Sequence, residues 1–261
     1  MNILDKILGR SDAPPVNPAL TYQTAGMIEA DLKTAGGDVH VHTHTSQTIL
    51  VTFSELRSDA GLAPEGPGWS FDSVNGVLRI DTHAMQSRDL KRSDIDLFVP
   101  EGSAITLTTA GGDGTFVGQF KSLRVTSMGG DIDTSDAQCP TCFLTSAGGD
   151  IEAVIAGEGD VQTAGGDIEL SITAQSTVRA HSAGGDISID VHAPCVITAT
   201  TMAGDIEVSV DRGYETEVDA ATTVGEINSD IAFHAAGDGS EPADVRLTLK
   251  TTAGDIEIRQ R

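Results

Sequence analysis

The sequence is poor in aromatic residues: Phe, Tyr and Trp make up 4% of its 261 residues. Large aromatic side chains usually fill a thick globular core, so their scarcity favours a thin, repetitive core. No apolar run approaches the roughly 18 residues that a membrane-spanning helix needs. A signal peptide is not visible either, which makes the cytoplasm the default expected location, with envelope association left open.

Basic residues are also scarce. The chain has 16 Lys and Arg against 39 Asp and Glu, a formal net charge of -23. A field of this sign repels phosphate backbones and anionic lipid heads, so it argues against nucleic acid and membrane surface as partners of the body of the protein. It attracts cations, and it leaves a protein or a cell-envelope component as the expected partner, with self-association as a further alternative.

Cysteine occurs three times, as Cys139, Cys142 and Cys195. The CPTC stretch that contains the first two is a CxxC motif. Redox use normally places such a motif at a helix start, and zinc binding needs a second pair of ligands. Since neither condition is met, we predict a structural use, with Cys142 in the core and Cys139 in a corner loop.

The sequence is rich in one short phrase: Ser or Thr, any residue, Gly or Ala, Gly, Asp. Eight copies end at Asp38, Asp113, Asp131, Asp150, Asp167, Asp186, Asp205 and Asp255, and a degenerate ninth, TTVGE, ends at Glu226. Through the middle of the chain the copies recur about every 18 to 19 residues. A fixed period of this length is typical of a stacked repeat architecture.

Apolar and polar residues alternate on both sides of each copy. Ile151 directly follows Asp150, for example, and Leu144 stands two residues before Ser146. A period of two with β-branched residues indicates strand, turn, strand. The glycine pair supplies a sharp corner, where φ can be positive and stacked backbones crowd, while Ser or Thr bonds the corner backbone and Asp caps free N–H groups.

We therefore predict an all-β fold: a single-stranded, β-helix-like β-solenoid with about 18–19 residues per rung. One unit cannot bury its apolar face alone, whereas stacked units bury a continuous stripe. Ile151, Ile168, Ile187 and Ile206 should then stand in a single file at the strand spacing of about 4.8 Å.

The rest of the chain divides into a tail and a cap. Residues 1–19 form an amphipathic segment and a Pro-rich linker, and residues 20–261 form the solenoid domain. Within that domain we predict an irregular β cap near the N-terminus at 39–104 and regular rungs at 105–261, because an open solenoid end must be covered or charged. Residues 1–10 are a candidate for peripheral contact with a partner or a membrane.

The layout resembles the bacterial "putative adhesin" family of β-strand-repeat domains of unknown function. VPEGSAITLTTAGGD at 99–113 and the later SAGGDIEA, TAGGDIEL and TTAGDIEI match the family's pattern of short SGDI-like phrases that follow a VP-x-G strand. The resemblance covers roughly residues 20–261. It implies the repeat architecture and a frequent association with the cell envelope, and it indicates almost nothing about activity.

The acidic residues are predicted to form two columns on one outward face, because an Asp and the residue two positions later point the same way. The candidate cation-binding residues are Asp131, Asp133, Asp150, Glu152, Asp167, Glu169, Asp205 and Glu207. Backbone N–H groups, salt, or bound Ca²⁺ or another divalent cation would relieve the repulsion, since oxygen-rich sites suit hard cations. A solvated acidic face without any cofactor is the simpler interpretation.

Three histidines, His40, His42 and His44, alternate along one predicted strand and point the same way, about 7 Å apart. Two of them could hold Zn²⁺ or Ni²⁺ if His83 supplied a third ligand. The alternative is a solvated outer face, with Val39 and Val41 packed inward.

The sequence shows no Ser-His-Asp arrangement, phosphate loop or nucleotide fingerprint that can be placed, so we expect no enzymatic activity. Paired carboxylates also occur in glycoside hydrolases, but a pair repeated on every rung indicates architecture rather than an active site. We expect a non-catalytic scaffold or interaction protein that presents rigid repeat faces, adhesin-like or envelope-associated. A self-polymerising solenoid, and a cation-dependent carbohydrate binder or enzyme on the acidic face, are the alternatives.

Overall fold

The computed structural model describes residues 20–54, 63, 65–85, 90–231 and 243–261. The predicted amphipathic tail and linker at 1–19 lie outside the described residues. The alternating segments of the sequence are β-strands, and they are numbered here in chain order.

The first seven strands are β1 (Leu20–Gln23), β2 (Glu29–Thr34), β3 (Val39–His44), β4 (Thr48–Phe53), β5 (Trp69–Asp72), β6 (Val77–Asp81) and β7 (Ile95–Pro100), with 3₁₀ turns at Thr82–Ala84 and Leu90–Arg92. The next nine are β8 (Ser103–Thr109), β9 (Gly114–Ser127), β10 (Ile132–Thr134), β11 (Ala137–Gln138), β12 (Thr141–Ser146), β13 (Ile151–Ile155), β14 (Glu158–Thr163), β15 (Ile168–Ile172) and β16 (Ser176–Ser182). The last seven are β17 (Ile187–Val191), β18 (Cys195–Ala203), β19 (Ile206–Val210), β20 (Thr216–Val224), β21 (Ile227–Ser229), β22 (Val245–Ala253) and β23 (Ile256–Gln260).

The strands build two mainly parallel sheets, and each rung contributes one strand to each sheet. Sheet A has the order β1-β4-β7-β3-β9-β10-β13-β15-β17-β19-β23-β21. Sheet B has the order β5-β6-β2-β8-β9-β12-β14-β16-β18-β22-β20. The long strand β9 belongs to both sheets, and the short β11 pairs with its middle. This parallel stack confirms the predicted β-solenoid.

The chain order and the spatial order differ at both ends of the stack. Near the N-terminus, β2 and β3 lie between the rung of β6 and β7 and the rung of β8 and β9. Near the C-terminus, β22 and β23 lie between the rung of β18 and β19 and the rung of β20 and β21. The last two strands of the chain, β22 and β23, therefore each pair on both sides.

Antiparallel strands occur only at the N-terminal end of the described stack. β4 pairs antiparallel with β7 and β1, and β5 pairs antiparallel with β6. Two of them, β4 and β5, fall in the stretch 39–104, which also contains β3, β6 and β7 of the parallel rungs.

The core lies between the two sheets and consists of files of aliphatic residues. Ile151, Ile168, Ile187 and Ile206 are successive register partners, and each has at most 1% of its surface exposed. This confirms the predicted single file. Burying a side chain of this size stabilises a fold by about 1.5–3 kcal/mol, so repetition builds a continuous apolar spine without large aromatic residues.

The second glycine of each corner is required mainly by the close approach of stacked backbones. A Cβ added to Gly149 would lie against the carbonyl oxygen of Gly130, far inside van der Waals contact, and Gly166 has the same relation to Gly149. Among the corner glycines, positive φ occurs at Gly37 (86°) and Gly112 (97°) near the N-terminal end, and at Gly225 (149°) and Gly254 (155°) near the C-terminal end. The first glycine is less constrained, since a Cβ on Gly148 would meet its nearest atoms at 3.9 Å.

The Ser or Thr of the corners at 146, 163 and 182 joins two rungs from inside the core. Thr163 donates its hydroxyl to the carbonyl of Gly149 in the preceding rung (3.1 Å) and accepts the N–H of Gly166 in its own corner (3.2 Å). Ser146 and Ser182 make the same pair of bonds. These contacts confirm the predicted role of the hydroxyl, and they explain why a polar side chain is tolerated in the core.

Candidate functional site

The corner aspartates form a continuous hydrogen-bonded ladder along sheet A. Asp150 donates its backbone N–H to Oδ1 of Asp131 (2.8 Å), and Asp167 donates its own to Asp150 (2.8 Å). In spatial order the ladder comprises Asp94, Asp38, Asp113, Asp131, Asp150, Asp167, Asp186, Asp205, Asp255 and Glu226. The predicted capping of N–H groups is confirmed, and each carboxylate caps the next rung rather than its own.

A second column of acids stands beside this ladder, two residues further along each strand. Asp133 pairs in register with Glu152, and Glu152 with Glu169. Desolvation raises the pKa of Glu152 above its usual value, and the negative charges of Asp133, Glu169 and Asp136 raise it further. Ser188 then interrupts the predicted column before Glu207.

Arginines neutralise part of the acidic face near its C-terminal end. Arg259 forms ion pairs with Glu207 and with Glu257, the latter at 2.7 Å. Arg261 pairs with Asp190 at 2.8 Å and lies 3.4 Å from Asp211. In the described part of the chain, no such pair is formed by the middle of the column, so the negative potential of sheet A is concentrated there.

The outward face of sheet B has a different character, because acids and bases alternate on it. Arg124 lies over the ring of Phe143, with its guanidinium carbon 4.4 Å from the ring centroid. Phe143 is in register with Asp160, which is in register with Arg179. The rod therefore presents one acidic face and one mixed face. The sequence period contains this pattern as well as the acidic columns.

The candidate metal ligands of the two acidic columns lie side by side on sheet A, as predicted. Among the described residues, no three His, Cys, Asp or Glu side chains are grouped in a way that could hold a metal ion. Binding of Ca²⁺ or another divalent cation stays a prediction, and the geometry supports a line of carboxylates rather than a closed cage.

The three histidines lie along β3 and point outward, while Val39 and Val41 are fully buried, as the second interpretation predicted. His42 stacks on Phe98 with ring centroids 5.1 Å apart. Desolvation lowers the pKa of His42, against an opposing effect of Asp96, and desolvation also lowers the pKa of His44. His83 follows β6 of the other sheet, where its Nδ1 lies 3.3 Å from Asp81.

All three cysteines are reduced and buried, as the structural interpretation predicted. Cys142 lies in β12 at an inward position, and Cys139 is only 1% exposed in the preceding corner. A hydrogen bond from the Cys142 thiol lowers the pKa of Cys139, whereas burial raises the pKa of Cys195 to about 12. A buried thiol with a raised pKa, such as Cys195, is a weak nucleophile and packs as a small apolar residue.

An open groove lies along the corner at which strands β14, β16 and β18 of sheet B begin, and the sequence did not predict it. It is lined by Gly157, Glu158, Gln175, Ser176, Thr177, Pro194, Cys195, Val196, Ala243 and Asp244. Loops from several rungs form it, so no local motif could have indicated it.

The fold and the repeated corner together define the class of the protein: a two-sheet β-solenoid built from sequence repeats. The chain belongs to the Toastrack DUF4097 family, whose family model matches residues 75–259. This confirms the resemblance inferred from the repeated phrase. No curated protein matches the chain. In the described part of the chain, no helix is long and apolar enough to cross a membrane.

Three solved structures are similar to the chain over most of its length. One is a "putative adhesin" from Bacteroides fragilis, with 15% identity and a TM-score of 0.44, covering 91% of this chain and 94% of that chain. Another is a "putative cell adhesion protein" from Clostridium sporogenes, with 14% identity and a TM-score of 0.27, covering 92% and 98%. A "putative adhesin" from Parabacteroides distasonis has 13% identity and a TM-score of 0.40, covering 91% and 94%. The family assignment rests on the family model and the repeated corner.

Proposed function

We propose that the protein is a non-catalytic interaction scaffold, adhesin-like in use, which binds another protein or a cell-envelope component through the outward columns of its solenoid. The observation that carries the proposal is the unbroken register from β9 to β19, which holds outward side chains at a constant spacing. A surface held in this way loses little conformational entropy when a partner binds.

The middle of the acidic face is the preferred contact. Asp133, Glu152 and Glu169 form an exposed row that is not neutralised by arginine within the described residues, so the full charge of the row is available to a cationic partner. Complementary charge of this kind speeds encounter and favours the correct partner. The mixed face of sheet B, with Arg124, Phe143 and Asp160, provides an internal comparison.

The non-catalytic part of the proposal rests on the regularity of the acidic columns. Catalysis by two carboxylates needs one pair whose surroundings set different pKa values. Here the same pair recurs from rung to rung. The proposal also places the protein in the cytoplasm or against the envelope, with residues 1–10 as a peripheral contact, and cell fractionation with and without residues 1–18 tests that part.

The test compares two double variants, each with two substitutions of outward-facing side chains. Glu152→Gln with Glu169→Gln alters the acidic face, and Asp160→Asn with Arg179→Gln alters the mixed face. Binding of the purified proteins to immobilised bacterial envelope and soluble fractions is measured by interferometry, with thermal unfolding as the folding control. We expect the acidic-face variant to lose binding at least tenfold while the mixed-face variant keeps it. If both variants bind as the parent does, or if no fraction binds, the proposal is wrong.

A further inference from the structure

The C-terminal end of the rod is an open edge in the described part of the chain. β20 pairs with β22 alone, and β21 pairs with β23 alone. At the other end the outermost strands of the two sheets, β1 and β5, are short and antiparallel, and each also pairs on one side only among the described residues. Unpaired N–H and C=O groups along an edge strand are a template for another strand, and β20, with 9 residues, is the longest of these edge strands.

The inward side chains of this last rung are incompletely covered. Ile227 is 37% exposed, although its register partner Ile256 is fully buried. Val218, on β20, has 8% of its surface exposed, whereas the next residue in its file, Leu247, has none. A further strand would continue the apolar file and remove this surface from water.

The aspartate ladder also ends here without its usual partner. Glu226 donates its backbone N–H to Oδ1 of Asp255 (2.7 Å), as each member after Asp94 does to its neighbour. Within the described residues, however, the carboxylate of Glu226 accepts no backbone N–H. Every other carboxylate of the ladder, up to Asp255, accepts one.

The charge of the last rung is of one sign. Residues 216–231 contain four acids, Glu217, Asp219, Glu226 and Asp230, and no Lys or Arg. Glu217 is paired with Arg246 at 2.8 Å, which leaves three acids around the edge. A second copy of the chain would bring the same acids and a net charge of -23 to this edge, whereas a basic segment would neutralise them.

We propose that the last rung binds an extended basic segment of a partner protein, which adds as a new strand along β20. Main-chain hydrogen bonds to the free edge provide affinity, and alternating side chains provide selectivity: apolar residues cover the file of Val218, and lysines or arginines face Asp219. This edge is separate from the outward faces assigned above, so the two proposals stand or fall independently.

The experiment uses the full chain and a fluorescein-labelled nine-residue peptide in which lysine alternates with valine or threonine. Anisotropy titrations compare it with the same peptide carrying glutamate for lysine, and with one N-methylated at alternate amides. Asp219→Lys with Asp230→Lys alters the edge, and Glu158→Lys with Asp160→Lys makes the same change of charge on an internal rung of the mixed face, outside the row assigned to the proposed function. Circular dichroism and thermal unfolding verify that both variants are folded.

We expect the lysine peptide to bind, and both peptide changes and the edge variant to weaken binding at least tenfold, while the internal variant weakens it much less. Equal loss in the two variants would mean unspecific attraction to a negative protein and would overturn the proposal. Failure of the lysine peptide to bind would overturn it as well. If sedimentation velocity shows a dimer that only the edge variant abolishes, the occupant of the edge is a second copy of the chain, and the proposal of a basic segment is wrong.

Discussion

Asp255 donates its backbone N–H to the carboxylate of Asp205 at 2.7 Å, although the Glu226 corner lies between them in the chain. Glu226 in turn donates to Asp255, so the last copy of the repeat is the penultimate rung. Asp38 is inserted in the same way at the other end, between Asp94 and Asp113. A terminal strand that pairs on both sides resists fraying, which is otherwise concentrated at chain ends.

The spatial order of the last three rungs predicts which outward positions can be cross-linked. Glu257 is the register partner of both Glu207 and Asn228, so the last two lie two strand spacings apart, about 10 Å. Glu207→Cys with Glu257→Cys should therefore react with a short bis-thiosulfonate reagent much faster than Glu207→Cys with Asn228→Cys. Peptide mass spectrometry measures the yields. The opposite ranking would mean that the rungs are stacked in chain order.

The two glycines of one corner should differ in their tolerance of a methyl group. Gly149→Ala places a Cβ against the carbonyl oxygen of Gly130 and should lower the free energy of unfolding by about 1–3 kcal/mol, the usual cost of overpacking. Gly148→Ala is the matched control and should cost much less, because its Cβ has ordinary contacts at 3.9 Å. Urea denaturation measures the free energy of unfolding of both variants. Equal values would contradict the argument that the backbone contact requires a glycine at position 149.

The corner hydroxyl should matter more than its methyl group. Thr163→Val removes a donor to Gly149 and an acceptor for Gly166 inside the core, and each unsatisfied group costs about 1–3 kcal/mol. Thr163→Ser keeps both bonds and loses one methyl group, about 0.8 kcal/mol. We expect the valine variant to melt at the lower temperature. A valine variant as stable as the serine variant would show that water replaces the lost bonds.

The pH dependence of stability should contain a contribution from His42. Its pKa is lowered in the folded state, chiefly by burial. The unfolded chain therefore binds more protons as the pH falls below about 6.5, and stability decreases toward lower pH through the folded pKa. His42→Phe, which can keep the stacking on Phe98, should reduce the loss of melting temperature between about pH 7.5 and pH 5.5.

His181→Gln is the control for this measurement, because His181 lies on the exposed face of sheet B and its ring bonds the hydroxyl of Thr200 at 2.8 Å. We expect that variant to follow the parent protein. If His42→Phe and the parent show the same decrease with pH, the burial of His42 has no thermodynamic effect.

The corner chemistry and the stacking were predictable because they repeat. Ile151 and Ile168 fall into one file because the same distance separates each from its glycine corner, and a slip by one residue would turn both to the solvent. The two acidic columns followed from the same periodicity. The interruption at Ser188 is visible in the sequence once the register is known. These features are local, so a single sequence carries them.

The features that were not predicted depend on neighbours far apart in the chain. Crowding of stacked backbones at the glycine pair was predicted, but not which glycine it affects: Gly149 is the constrained one, because stacking brings the carbonyl of Gly130 near it. The pKa of Glu152 reflects desolvation and acids from adjacent rungs. The open edge at β20 exists only because β22 inserts before it.

The β-solenoid, its corners, its apolar file and its acidic face can be derived from the sequence alone, because each follows from a period of two inside a period of about 18 to 19. The order of the rungs at the two ends, and the identity of the strand left at the C-terminal edge, depend on the folded structure. The physical reason is that the copies ending at Asp205, Glu226 and Asp255 offer nearly the same backbone bonds to any neighbour, so the corner motif alone cannot rank them. The choice is made by burial of the whole rung, in which Ile256 is covered and Ile227 is left partly exposed.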